Sequence, residues 1–318
     1  MTTAVMFSGI DGLDRLDQRD MVLALPEVKA RMTTAQTHLD RITGGKISLS
    51  DFAQSSEEFF HSELATKALL CAVVHVGLYD RLLKYHPEPD YLVGCSLGDS
   101  ARTVASGAMS FEQIMLGTYL FGNHGQKLTG GAVVCVKCRG DAATAADLRE
   151  IESLGLYIAV YQTPKHFLVG GPEEYLQVWC ELDSTRQKYA IRPLCDKPLH
   201  SAAMKATQQY TLEHFGELKI QPWKIPMISA SECKLITNEK ELLDDMINNM
   251  TGPVRWWPTY QWMVEELGVK RFINIGPNDT LIRFHERIPL ATPVEVIDGL
   301  SLMQSAVVPA LKSATGTF

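Results

Sequence analysis

The chain has no excess of positive charge: 30 Lys and Arg stand against 37 Asp and Glu, a formal net charge of -7 over 318 residues. With its basic residues scattered, it offers neither a phosphate-tracking groove for nucleic acid nor a polybasic patch for a membrane surface. No apolar run approaches the roughly 18 residues of a spanning helix, and the start shows neither a basic n-region nor a cleavable apolar segment. A membrane span and a secretory leader are therefore not expected. Cysteine is sparse and odd in number, with Cys71, Cys95, Cys135, Cys138, Cys180, Cys195 and Cys233. That count in a long chain predicts reduced thiols in a cytoplasm, not a disulfide scaffold. A second CxxC is missing beside Cys135-Val136-Lys137-Cys138, and Cys135 sits in a β-branched run, so strand cysteines are expected instead of a metal site. Low-complexity linkers and internal sequence repeats are absent too.

What the chain does have is size and apolar content. At 318 residues and 46% hydrophobic it can bury roughly three quarters of the surface of its extended form, enough for one large core and a satellite. Residues 4–7 and 91–93 read as short buried strands, and 62–84 repeats apolar residues at helical spacing. From Gly131 the pattern changes to AVVCVKC, DAATAADLREIES, LYIAVY, HFLVGG, PEEYLQVWCELDSTRQ and YAIRPL. That is strand, helix, strand, strand, helix, strand, the order of a ferredoxin-like module. The expected fold class is α/β. A hydrolase-like body over 1–128 and 199–318, with a parallel-sheet core, is interrupted by an inserted ferredoxin-like α+β subdomain over 129–198.

The most informative residues are Gly94-Cys95-Ser96-Leu97-Gly98, which follow an apolar strand and precede a helical run. Glycines on both sides of a serine at a strand-to-helix turn describe a nucleophile elbow: the chain turns tightly, the serine oxygen is held out, and the following helix aims unpaired N–H groups at it. A turn with a capping serine is the plainer reading of the same pattern. A nucleophilic serine needs a base, and histidine, with a free pKa near 6.5, suits that task. His200, in Pro198-Leu199-His200-Ser201-Ala202-Ala203-Met204, is the candidate. Cys95 also abuts the elbow, but alternation along the strand turns its side chain away from that of Ser96, so packing is its expected role.

With both segments in view the chain resembles the malonyl-CoA:acyl carrier protein transacylase family, the acyltransferases of fatty acid and polyketide synthesis, as a divergent standalone member. The resemblance also rests on Phe7-Ser8-Gly9, on ELATKALL from Glu63 to Leu70, and on ASGAMS from Ala105 to Ser110. Further matches are Tyr161-Gln162-Thr163-Pro164, Gly252-Pro253-Val254-Arg255-Trp256 and Ile275-Gly276-Pro277.

The resemblance implies a Ser-linked acyl-enzyme. His200 takes the proton of Ser96 as it attacks a thioester, and the backbone N–H groups of Ile10 and Leu97 hold the oxyanion. It implies an orienting carbonyl for His200 around Asn274 to Asn278, with Asp279 near enough in sequence to offer a carboxylate. Substrate-pocket positions fall on Cys95, His124, Gln162 and Asn249. Several of these depart from the family pattern: His is usual at Cys95, Glu at Asp99, Gln at Ile10 and Asn249, and Arg at His124. The last change removes the fork that pairs with a malonyl carboxylate.

The expectation is therefore transfer of an acyl group without a terminal carboxylate between a thioester donor and a carrier-protein thiol. The alternatives are hydrolysis of stalled acyl groups, ordinary malonyl loading, and an inactive carrier-binding protein. No bound cofactor or metal is expected, since CoA or phosphopantetheine arrives as part of the substrate. An acyl carrier protein is the expected partner, with Arg192, Lys197, Lys205 and Lys219 as candidates for meeting its acidic helix. The protein is expected to be a cytoplasmic monomer.

Overall fold

The computed structural model describes residues 1–276, 280–283 and 294–297. Ten strands run through them: β1 Thr3–Phe7, β2 Tyr91–Gly94, β3 Gly131–Cys138, β4 Tyr157–Thr163, β5 His166–Pro172, β6 Tyr189–Cys195, β7 Met227–Ser229, β8 Lys234–Ile236, β9 Arg271–Ile275 and β10 Glu295–Ile297. They form two sheets, one of six strands in the order β10-β9-β1-β2-β7-β8 and one of four in the order β4-β5-β3-β6.

The larger sheet is parallel except where β8 turns back along β7. Parallel strands are covered on both faces, so they read as continuous apolar runs. Ala4, Val5, Met6 and Phe7 are all fully buried. Phe7 pairs with Gly94 on one side and Ile275 on the other, which brings three strand ends to one edge. In such sheets ligands bind beyond the carboxyl edge, where the loops converge. The long helix Leu64–Tyr85 crosses behind this sheet. It starts two residues later than its apolar period suggests, because the short helix Glu57–Ser62 precedes it and Glu63 forms the junction.

The four-stranded sheet is antiparallel throughout, with the helix Ala145–Ser153 between β3 and β4 and the helices Glu173–Glu181 and Asp183–Lys188 between β5 and β6. This is the ferredoxin-like arrangement. Alternation along β3 sends Val134, Val136 and Cys138 into a core with Trp179 and Phe167, while Val133 and Cys135 face the body beside Met6, Val93 and Trp256. The two cysteines of the CxxC therefore sit on opposite faces. No cluster of metal-ligating side chains occurs among the described residues.

The insert leaves and rejoins the body at neighbouring points, since the Lys197 ammonium donates to the Leu128 carbonyl at 3.0 Å. A third attachment lies elsewhere. Tyr161 N–H donates to the Val254 carbonyl at 2.8 Å, and Val254 N–H donates to the Ala159 carbonyl at 2.9 Å, tying β4 to the body.

Candidate active site

The turn after β2 is built by what its glycines leave out. A Cβ at Gly94 would fall 2.3 Å from the Asp99 nitrogen, and one at Gly98 would fall 2.2 Å from the Phe7 carbonyl oxygen. Only without those side chains can the helix Gly98–Ser106 start directly under β1 and β2. The tight turn puts Ser96 at φ 57°, a left-handed conformation that costs a β-carbon-bearing residue about 1–3 kcal/mol and clusters at functional sites. Leu97 N–H stands at the start of that helix, and Ile10 N–H opens the 3-10 turn Ile10–Leu13 after β1. The first N–H groups of such turns have no partner within the helix, so they are free to donate outward.

His200 follows the insert and is also left-handed, at φ 58°. Its Nε2 lies 2.7 Å from Ser96 Oγ, and its Nδ1 lies 2.7 Å from the backbone carbonyl oxygen of Asn249. A carbonyl only accepts, so Nδ1 carries the proton. Nε2 of the neutral ring must then accept from the Ser96 hydroxyl. Burial lowers the His200 pKa to about 4, with the Asn249 carbonyl opposing the shift. The ring is thus neutral at physiological pH, and the arrangement can remove a proton from a serine that attacks an acyl carbon.

The orienting carbonyl is not in the stretch expected for it. Asn274 is the penultimate residue of β9 and is fully buried, and Asn278 and Asp279 lie outside the described residues. Asn249 supplies the group because it lies in the last turn of the helix Glu239–Thr251. The final carbonyls of a helix lack partners within it, and they mark its negative end, which also favours a protonated imidazole. The Asn249 side chain adds a second link, its Nδ2 donating to the Ser96 carbonyl at 2.9 Å.

Two cavities meet at this pair. A narrow one of about 150 Å³ runs among the helices Phe111–Gly125, Lys205–Phe215 and Glu239–Thr251, past Ile114, Phe121, Phe215, Leu243 and Met250. A wider cleft of about 640 Å³ opens between the two sheets, past Asp11, Cys95, Lys137, Gln162, His166 and Arg192. Ser96, His200, Ile10 and Leu199 line both. Cys95 and Gln162 thus border the cleft and Asn249 the narrow cavity. Burial pushes the Cys95 thiol well above its usual pKa.

His124 lines neither cavity, which corrects its assignment to the substrate pocket. The cavity face of its helix runs through positions 114, 117, 118, 121 and 122. His124 sits on the flank, where Nδ1 meets Thr207 Oγ1 at 2.9 Å and the ring stacks on Tyr210 at 4.5 Å. Among the four basic candidates, Arg192 alone borders the cleft. Lys197 is tied to Leu128, and Lys219 pairs with Glu217 at 3.3 Å on the surface.

Sequence reasoning missed the fully buried Arg102. Its guanidinium lies 3.1 Å from Asp99, 2.7 Å from Asp245 and 2.6 Å from the Ile228 carbonyl. Asp245 is one turn before Asn249, so this cluster clamps the elbow helix to the helix that holds His200. An arginine three residues after an acid in a helix is the only local sign of it.

A family model described as acyl transferase domain matches residues 21–313. The malonyl CoA-acyl carrier protein transacylase of Bacillus subtilis is 24% identical over 242 residues, 74% of this chain and 75% of that protein. The solved malonyl CoA-acyl carrier protein transacylase of Coxiella burnetii superposes with a TM-score of 0.82 at 20% identity, covering 96% of this chain and 97% of the other. A type II PKS acyl-carrier protein in complex with its malonyl-transacylase provides a further neighbour. It has a TM-score of 0.80 at 19% identity, over 94% and 96% of the two chains.

Proposed function

The chain belongs to the acyl transferase domain family, and from that membership we propose that it moves an acyl group from a thioester donor onto a carrier-protein phosphopantetheine thiol through an ester at Ser96. The observation that carries this reading is the relay of Ser96 Oγ, His200 and the Asn249 carbonyl, with 2.7 Å at each link, in a strained elbow.

Ser96 Oγ attacks the thioester carbonyl as its proton passes to His200 Nε2. Charge grows on the carbonyl oxygen, where the Ile10 and Leu97 N–H groups meet it. Collapse breaks the carbon–sulfur bond, His200 returns the proton to the departing sulfur, and a free thiol leaves the acyl-Ser96 ester behind. A pantetheine thiol then enters and reverses these steps, giving up its proton to His200. No redox partner or metal is needed for the balance.

A carrier-protein partner is supported by the neighbour solved in complex with its acyl-carrier protein. The wide cleft, with Arg192 and Lys137 at its walls, suits a long pantetheine arm that ends in a phosphate. The names of the relatives favour malonyl as the acyl group, and malonyl is the standard against which other groups are measured. Hydrolysis shares the first half-reaction and differs only in whether water or a thiol discharges the ester.

Intact-mass measurement with acyl thioesters tests the reading. The expected result is one acyl group per chain, lost in Ser96→Ala, and transferred to a pantetheinylated carrier faster than to water. Labelling that persists in Ser96→Ala overturns the nucleophile, and release to water that an acceptor carrier does not alter overturns transfer in favour of hydrolysis.

A further inference from the structure

We propose that the narrow cavity beside Ser96 is the seat of an uncharged alkyl acyl chain of about six carbons, and that Phe215, standing over Gly117, sets its length. The inference rests on the acyl-transfer reading and names the substrate class of that same site.

Three helices supply the walls, and each contributes residues spaced by three or four, as an apolar stripe requires. The stripes are Ile114, Gly117, Thr118, Phe121 and Gly122 on the first helix, and Gln208, Thr211, Leu212 and Phe215 on the second. Leu243, Met246, Ile247 and Met250 complete the third. Such stripes usually close on one another as core. Here they stop short and leave a channel that begins at the Ser96 hydroxyl.

The electrostatics select the occupant. No Asp, Glu, Lys or Arg lines the channel, and its one ionisable group is His200. Its hydroxyls are already engaged: Thr118 with Ser100 at 3.5 Å, and Thr211 with the Thr207 carbonyl at 2.8 Å. The Asn249 amide is spent on Ser96, which leaves the neutral Gln208 amide as the one further polar side chain of the lining. A carboxylate on the acyl group would lose its water here and gain no cation, which is strongly unfavourable, whereas methylene groups lose nothing by entering. The side chain with a basic ring closest in sequence, His124, is turned to Thr207 and Tyr210.

The dimensions select the length. An apolar cavity of about 150 Å³ is of the size that accepts benzene, six carbons. A Cβ on Gly117 would fall 2.8 Å from Phe215 Cε2, so the ring lies directly against the helix and closes off part of the channel. Leu212, next on the same stripe, is 47% exposed. Phe215 is itself half-buried, so this end of the channel lies close to the protein surface.

The test is competition. The wild-type protein is offered equimolar malonyl-, acetyl-, hexanoyl- and decanoyl-CoA, and acyl-Ser96 is read by intact mass at early times. Hexanoyl is expected to load about tenfold or more faster than malonyl and than decanoyl, in line with the factor of ten or more that a methylene carries in an apolar pocket. Phe215→Ala is expected to raise decanoyl relative to hexanoyl about tenfold, with Phe215→Leu as a milder replacement should the smaller residue fail to fold. Malonyl loading equal to or above hexanoyl overturns the uncharged-chain assignment. An unchanged chain-length ratio in a folded Phe215 variant overturns the role of that ring. Failure of every thioester to label Ser96 defeats the acyl-transfer reading itself, an outcome distinct from both.

Discussion

The two spaces that meet at Ser96 are walled by different kinds of structure. On one side three helices of the body face each other with aliphatic and aromatic side chains, and the result is narrow and uncharged. On the other, the loops after β1 and β2 face the insert across a wider cleft that carries Asp11, Lys137, His166 and Arg192. The lesson is a division of labour set by material. Packed helix stripes measure shape and exclude charge, while a gap between two sheets admits water and polar chains. The Ser96–His200 pair lies on the boundary and is common to both.

If that division holds, changes at the shared pair abolish everything, whereas changes on one side alter one kind of selectivity. Ser96→Ala is expected to remove the acyl-enzyme completely for every donor, and His200→Ala to slow its formation by about 10²–10⁴, both read by intact mass. A residual rate that differed between short and long acyl groups would break the idea of a common centre.

Next in size is Arg102→Ala. It leaves the Asp99 and Asp245 carboxylates buried without their cation, at a cost of about 3–5 kcal/mol in stability, measurable by denaturant unfolding. A loss under about 1 kcal/mol would mean that the clamp between the two helices is not held by this pair.

Asn249→Ala removes the amide that holds the Ser96 carbonyl but keeps the backbone carbonyl that orients His200. One hydrogen bond of about 1 kcal/mol corresponds to a several-fold slower acylation, equal for all acyl groups. Arg192→Ala on the cleft side is expected to raise KM for the donor a few-fold and leave the acyl preference unchanged. A shift in acyl preference there would erase the comparison.

On the acylation rate, the smallest effect is that of pH between 8 and 6. Only the neutral His200 accepts a proton, and its pKa is lowered to about 4, so the acylation rate is expected to be flat from pH 8 to 6 and to fall as pH drops through about 4. Stability follows a related course. His200 and the buried His75 both have native pKa values lowered to about 4, below the unfolded value near 6.5. The unfolded chain therefore binds more protons between those limits, and stability declines as pH falls from about 6.5 toward 4. A rate that halves near pH 6.5 would place His200 in a more hydrated setting than its burial indicates.

The readable parts of this site were those whose identity is enforced locally. No residue with a β-carbon fits at Gly94 or Gly98, so the elbow is written in the chain, and the alternation of β3 through β6 announces the insert. The Asn249 carbonyl was illegible because every residue has one, and its role depends on where a helix stops. The narrow cavity was illegible because its walls come from three stripes that look like ordinary core, the first and last more than a hundred residues apart. At His124 the direction of the side chain could not be read locally, because Thr207 and Tyr210 decide it from a distant segment.

The link between β4 and Val254 has a mechanical meaning. The chain enters and leaves the insert side by side, where a Cβ on Gly131 would fall 2.7 Å from that of Pro198. Two connections so close together define a single axis, and a body hung on one axis swings. The pair of hydrogen bonds at Val254 lies off that axis and acts as a bolt. A hinge with a bolt set off its axis resists swinging, so on the acyl-transfer reading a donor arm would enter a gap whose width these two hydrogen bonds help to hold.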